Sequence, residues 1–316
     1  VRPKAVGQEL ALRTKLRDWL LPESLSHMRR LPPAFRLEPL ADGAYAVYWH
    51  RRKLTETLPL TALRHPTDTD GFILAAGPSI SSMDLSPLRG RPCMGVNGSI
   101  VLSGELPFAY HMISDRNFFR DRPDLVDRAL ASGADCVFSF PGLALICERA
   151  PERLEGARVF VADAVNVAYG VPRLSPAVFD AKAALDPAFS LHCDISPADG
   201  RVGFSWDIRR GVFSGQTIAY AALQIAVWLG FRRIFLLGLD LGGDRGPVHF
   251  YENAGASQPT RLDDDYGPYI LPAFTLAGEL LRAKGLEVYN LSPTSRLPDA
   301  VIPKLSLTEA LDLSRT

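Results

Sequence analysis

An excess of charge of either sign is what this sequence most plainly lacks. Lys+Arg number 35 and Asp+Glu 35, so the formal net charge is zero. A global basic field able to hold a nucleic-acid backbone is therefore absent, and no homeodomain, zinc-finger or RRM signature replaces it. Long apolar runs are missing too. None reaches the roughly 18 residues that would suggest a membrane-spanning helix. Cysteine is scarce: Cys93, Cys136, Cys147 and Cys193 are widely spaced, and none forms a CxxC pair. That excludes the usual structural zinc pattern. All four fall in or beside apolar runs and read as buried free thiols of a reducing compartment. No secretory signal, internal repeat or low-complexity tract is visible, and the chain reads as cytoplasmic.

What is present is core. Hydrophobic residues make up 47% of 316 positions, which suits one large α/β domain with an extension, or two small domains. The organising stretch is Phe72-Ile73-Leu74-Ala75-Ala76-Gly77-Pro78-Ser79. Its first four residues, Phe72 to Ala75, are apolar and read as a strand buried on both faces, as in a parallel sheet. Gly77 permits close approach, Pro78 fixes φ, and Ser79 offers a cap or a hydroxyl. Two further apolar runs follow, Cys93-Met94-Gly95-Val96-Asn97 and Tyr110-His111-Met112-Ile113-Ser114-Asp115. Each ends in small polar residues. In a parallel sheet such ends share the carboxyl edge, where ligands bind. Gly77, Ser79, Asn97, Ser114 and Asp115 are thus expected at one crevice.

Residues 1–70 read as an N-terminal extension. Over 1–31, leucines at helical spacing alternate with arginines and lysines. This helix either lies on an anionic membrane surface or packs on the main domain. Residues 44–49 read as a strand, and 65–70 as a polar linker. Residues 71–316 read as the main domain. Its expected strands are 72–75, 94–97, 110–114, 136–140, 159–162, 234–240 and 286–291; its expected helices are one drawn from 117–119 and 124–130 together, and 274–284. Residues 163–203 read as loops with short structured pieces. Ser214-Gly215 precedes a long small-residue helix that Gly230 stops, and a helix start there offers N–H groups to an anion. A Gly-, Asp- and Tyr-rich stretch, 242–268, reads as a lid loop.

Three blocks resemble a known family. They are Ala76-Gly77-Pro78-Ser79; Gly211-Val212-Phe213-Ser214-Gly215 with the run 229–240; and Val288-Tyr289-Asn290-Leu291-Ser292-Pro293-Thr294-Ser295. In this order they are similar to the bacterial sialyltransferases of glycosyltransferase family forty-two and to related lipopolysaccharide and flagellin glycosylation proteins. The likeness spans about residues 71–297. It implies a doubly wound, Rossmann-like GT-A variant with a mostly parallel sheet. It also implies metal-independent, inverting transfer from a nucleotide-sugar, a CMP-sugar before a UDP-sugar, to a bacterial surface glycan or glycolipid such as lipopolysaccharide core. No separate cofactor and no metal are implied. Donor-binding positions carried over are Gly77, Pro78, Ser79, Asn97, Ser114 or Asp115, Ser214 and Gly215. The family's Asn before the turn glycine is Ala76 here, and its Arg before Ser-Gly has Arg210 as nearest counterpart. His249 and Tyr251 occupy the loop of its phosphate-binding tyrosines. Its catalytic His falls near Pro268 and Tyr269, where no His stands.

Inverting transfer needs a base for the acceptor proton and donors for the leaving phosphate. His249 is the first candidate base, since a His titrates near working pH; the alternative is a loop histidine bonded to backbone. Asp115 and Asp240 end strands and either act on hydroxyls or cap the next turn. Tyr251, Tyr266 and Tyr269 either give hydroxyls to phosphate or pack in the loop. Asp263-Asp264-Asp265 reads as a solvated acidic loop before a cation site, and His111 as a core histidine. Two rival functions remain open: a pterin diphosphokinase-like enzyme with Mg²⁺ on Asp115 and Asp240, and a non-catalytic nucleotide or sugar binder. Peripheral contact with the inner membrane and self-association are left open as well.

Overall fold

The strand that follows Asp70 is buried at every position, as a run with no charge inside it requires. The computed structural model describes residues 20–66, 70–242, 249–251 and 260–315. Its strands are β1 (Phe35–Pro39), β2 (Tyr45–Trp49), β3 (Arg52–Glu56), β4 (Asp70–Leu74), β5 (Cys93–Val96), β6 (Tyr110–Ile113), β7 (Asp135–Phe138), β8 (Val159–Val161), β9 (Phe189–Ser190), β10 (Phe204–Ser205), β11 (Arg233–Leu237) and β12 (Glu287–Asn290). The helices are α1 (Arg116–Asp121), α2 (Pro123–Ala131), α3 (Phe140–Arg149), α4 (Pro176–Ala183), α5 (Ile218–Leu229), α6 (Leu262–Asp265), α7 (Leu271–Ala283) and α8 (Leu307–Leu313).

Seven strands form one parallel sheet in the order β12-β11-β4-β5-β6-β7-β8. The chain steps outward from β4 to β8, then returns to lay β11 on the other side of β4. The order therefore reverses between β11 and β4, which makes their carboxyl ends the switch point of the sheet. Side chains alternate between faces. Ile73 enters the core shared with α5 and α7, whereas Phe72 and Leu74 enter the core shared with α1, α2 and α3. α5 can lie flat on β4, β5, β6 and β11 because Ala219, Ala221, Ala222 and Ala226 face in. Gly230, at φ 98°, ends it in the left-handed conformation that glycine adopts without strain.

β1, β2 and β3 make a small antiparallel sheet that shares the main core: Leu31, Phe35, Leu37 and Val47 pack with Phe140 and Leu143. Beyond β3, the Leu58 N–H donates to the Val159 carbonyl at 2.8 Å and so covers the outer edge of β8.

Several expected boundaries shift. Ser139 and Phe140 leave β7 to begin α3, and two short helices, α1 and α2, stand where one was expected. Ser214-Gly215-Gln216-Thr217 is a tight turn ahead of α5, with φ 52° at Gly215, φ 54° at Gln216 and Thr217 N–H on the Ser214 carbonyl at 3.0 Å. Residues 262–268 are helical, not loop: α6 runs through a π-helical turn, Tyr266–Ile270, into α7. The acidic triplet lies there, with Asp265 buried and Asp263 paired with Arg296. Cys93, Cys136 and Cys147 are buried free thiols, but Cys193 is exposed. Of the basic N-terminal stretch, residues 1–19 lie outside the described residues, and Glu23–Met28 forms a 3-10 turn. Most of the expected lid, 243–248 and 252–259, also lies outside them. No helix among the described residues is long and apolar enough to cross a membrane.

Candidate active site

A cleft of about 720 Å³ opens along the carboxyl edge of the sheet, from the switch point to the end of β8. Gly77 and Asp240 stand at its switch-point end. Gly77 is there because nothing larger fits: a Cβ would collide with the Asp240 carboxylate and would meet the Gly238 carbonyl at 2.5 Å. The Gly77 N–H donates to that same carbonyl at 2.9 Å, tying the β4 and β11 ends together. Asp240 accepts the Ser79 N–H at 2.9 Å, so its carboxylate holds the turn in shape while lining the cleft.

Asn97 follows β5 with φ 46°. Its carbonyl accepts from His111 Nε2 at 3.0 Å, and its Oδ1 is shielded from solvent with no hydrogen-bond partner among the described residues. Burial drives the His111 pKa down to about 3, against a smaller opposing effect of that hydrogen bond. His111 is thus a neutral core residue that props Asn97. Gln216 and Leu241 line the cleft beside Asn97 and also have positive φ, 54° and 61°. Non-glycine residues in that region cost energy, and such strain gathers at functional sites.

α5 brings its N-terminus to the cleft through Gln216, Thr217, Ile218 and Ala219. Among the described residues Thr217 makes no side-chain cap hydrogen bond; the Tyr220 N–H donates to the Thr217 carbonyl at 3.0 Å, and the N–H groups ahead of it, with the positive end of the helix dipole, remain for an anion. Opposite lies the described piece of the long loop. The Phe250 N–H donates to the Ala76 carbonyl at 3.0 Å, and the Tyr251 ring packs flat on Gly98, where a Cβ would overlap it. His249 and Tyr251 stack at 5.3 Å between centroids, and both line the cleft. The Arg122 guanidinium sits 5.3 Å from the Tyr251 ring centre.

Toward β8 the walls become hydroxyl- and carboxylate-rich: Ser114, Asp115, Asn117, Ser139 and Asp163. Asp115 caps α1, accepting the Asn117 N–H at 2.8 Å. Ser139 Oγ donates to the Ser114 carbonyl at 2.8 Å and joins the β6 and β7 ends. Asp163 accepts the Phe140 N–H at 3.0 Å, and burial raises its carboxyl to about 7, with that hydrogen bond opposing.

The structure thus brings together Gly77, Asn97, Ser114, Asp115, Ser214, Asp240, His249 and Tyr251. Four expected binding residues do not line the cleft. Pro78 starts a 3-10 turn behind Gly77, and Ser79 points its hydroxyl at Ser292 Oγ, 3.1 Å away. Gly215 is pressed on the Tyr220 ring. Tyr269 lies in the π turn under the Arg201 guanidinium, 4.4 Å from its ring centre. Tyr266 donates its hydroxyl to the Arg296 carbonyl, and Arg210 pairs with Asp186. Asp163, Ser139, Gln216, Thr217 and Arg261 line the cleft without having been expected there. Asp163 was findable: it ends the apolar run 159–162 just as Asp115 and Asp240 end theirs.

Residues 177–308 match the family model of the 3-deoxy-D-manno-octulosonic acid transferase WaaZ. That span holds the second and third sequence blocks and leaves the first outside; its description differs from the sialyltransferase-like one that the blocks resemble. The chain is 28% identical over 265 residues to a probable 3-deoxy-manno-octulosonic acid transferase of Salmonella typhimurium, covering 81% of this chain and 93% of that one. It is 27% identical over 260 residues to the Escherichia coli protein of the same description, covering 78% and 87%. A solved structure, the MAf glycosyltransferase from Magnetospirillum magneticum AMB-1, aligns with a TM-score of 0.43 and 17% identity; it covers 80% of this chain, which spans 38% of its length.

Proposed function

We propose that this chain transfers an acidic sugar of the 3-deoxy-manno-octulosonic acid type from a nucleotide-activated donor to a bacterial lipopolysaccharide core glycan. The observation that carries the reading is a switch-point cleft with an uncapped helix N-terminus, in a chain similar over 81% of its length to a probable transferase of that sugar. In this reading the nucleotide occupies the β11/β4 end, against Gly77 and Asp240. The phosphate lies between the N-terminus of α5 and His249 with Tyr251, whose N–H and O–H groups stabilise the charge that develops as the nucleotide leaves. The sugar and the acceptor extend over β6, β7 and β8, where hydroxyls and carboxylates face them. The donor is a CMP-sugar, and the transfer is inverting and needs no metal.

The diphosphokinase alternative draws on Asp115 and Asp240, which line the same cleft but hold a helix cap and the Gly77 turn. Thermal unfolding with CMP, UDP, GDP and ATP, each with and without Mg²⁺, separates the readings. A rise in Tm with CMP that is independent of Mg²⁺ is expected. Stabilisation by ATP with Mg²⁺ alone would replace the transferase with the kinase. CMP binding without turnover of a CMP-activated acidic sugar on truncated core oligosaccharides, read by mass, would leave a nucleotide-binding protein.

A further inference from the structure

We propose that Asp163 is the general base of this transfer, receiving the acceptor's hydroxyl proton at Oδ2 in the half of the cleft over β7 and β8. The assignment rests on the transferase reading above and names the proton acceptor within it.

Each of the three carboxylates lining the cleft accepts a backbone N–H, and Asp163 is the one of them at the β8 end, farthest from the switch point. Asp115 caps α1 and Asp240 holds the Ser79 N–H. Asp163 reaches across instead. Its Oδ1 accepts the N–H of Phe140, the first residue of α3, which fixes the carboxyl plane. Its Oδ2 accepts no hydrogen bond among the described residues, and the side chain lines the cleft. The backbone beneath is held as well: the Val212 N–H donates to the Asp163 carbonyl at 3.0 Å. A fixed carboxyl with one oxygen facing the ligand space is the geometry that a base requires.

No cation pairs with it among the described residues. One ionisable group that feels its charge is the phenol of Tyr45, on β2, which is itself pushed upward by burial and by this carboxylate. Burial keeps the carboxyl protonated up to about 7. A base that titrates near working pH combines a useful deprotonated fraction with proton affinity.

The position also suits an in-line displacement. From β5, beside His249 and Tyr251, to β8 is three strand spacings, roughly 14 Å. That distance accommodates phosphate donors, phosphate, anomeric carbon, attacking oxygen and base in a row. In the step, the acceptor oxygen bonds to the anomeric carbon and gives its proton to Asp163 Oδ2. The bond from that carbon to the phosphate oxygen breaks, and its electron pair leaves with the nucleotide.

The test compares Asp163→Asn, which keeps an acceptor for the Phe140 N–H, with Asp163→Glu and the wild type between pH 5.5 and 8.5. Wild-type kcat should fall on the acid side with the slope of one proton. Asp163→Asn should lose roughly 10²–10⁴-fold in kcat, bind CMP with unchanged affinity in calorimetry, and show no acid limb. Asp163→Glu should recover part of the rate with its limb displaced. His249→Gln should lose rate but keep the limb. Equal turnover by Asp163→Asn, or a parallel loss of CMP affinity, would overturn the assignment and leave the transferase reading standing. If Asp163→Asn does not fold, a wild-type profile without an acid limb overturns it. A wild type that transfers no acidic sugar at all removes the transferase reading, and this assignment with it.

Discussion

Asp163 sets a stability cost against a chemical use, and the two are separable by pH. An unfolded aspartate has a pKa of about 3.9, whereas in the fold burial raises this one to about 7. Between those values the folded state holds a proton that the unfolded chain has released. The folded state is therefore favoured by this group at low pH, and that stability is lost as pH rises from about 4 to 7. Asparagine carries no such penalty. Asp163→Asn should thus gain in Tm relative to wild type as pH is raised from 5 to 8, by several degrees, since ~1 kcal/mol moves Tm by ~2–4 °C in mid-sized chains. Unfolding curves at the two pH values check this; a constant difference would mean that the carboxyl is already ionised in the fold. His111 has the opposite sign. Held neutral down to about 3, it loses stability for the fold as pH drops below about 6.5, where the unfolded imidazole takes up its proton.

At the scale of elements, α5 and the loop before it act as one piece because of a single buried amide. Gln224 Oε1 accepts the N–H groups of Ser205 and Phe213, each at 3.0 Å. Its Nε2 donates to the carbonyls of Phe213 at 2.7 Å and Tyr220 at 3.1 Å. The side chain is fully buried, so no water substitutes for it. It anchors the strand β10 and the segment Val212 to Ser214 against the helix whose N-terminus faces the cleft. Gln224→Leu preserves size but strands several buried backbone groups, at ~1–3 kcal/mol each. A loss of about 3 kcal/mol is expected in urea unfolding. CMP affinity should fall as well, because Ser214 and Gln216 move with the loop. Unaltered stability would show that the loop holds its place without the amide.

Across the whole molecule the two ends of the sheet divide the work. The amino-terminal edge carries an ion pair whose carboxylate is buried and whose guanidinium is partly exposed: Arg233 reaches Asp70 through Nε at 2.7 Å and Nη2 at 3.1 Å, and gives Nη1 to the Leu313 carbonyl of α8 at 2.6 Å. Asp70 is almost wholly buried, so removing its carboxylate leaves a guanidinium short of its partner. Breaking a fully buried pair costs ~3–5 kcal/mol, and the partial exposure of this guanidinium makes the cost smaller. Asp70→Ala should lower the urea midpoint accordingly while leaving kcat per folded molecule unchanged, because the pair lies at the far end of β4 and β11 from the cleft. A kcat change in fully folded variant would show that the two edges are coupled.

Local chemistry alone made much of this architecture legible. Uncharged runs such as 72–75 and 234–237 have no stable place except between two layers, and glycine after such a run marks a close approach. The α/β class, the parallel sheet and the crevice at Gly77, Asn97 and Ser114 follow from that. Helix starts were less legible, because the N-cap depends on φ and ψ: α5 begins at Ile218 only after a left-handed turn through Gly215 and Gln216. Which hydroxyls line the cleft was legible only in part: Ser114 and Ser214 do so, but other expected ones find distant partners. Ser79 turns to Ser292 and Tyr269 to Arg201, partners 213 and 68 positions away. Asp163 is the sharpest case. Its strand-end position is written in the chain, but its elevated carboxyl arises from burial beside α3 and β2, a dielectric that only the packed structure creates.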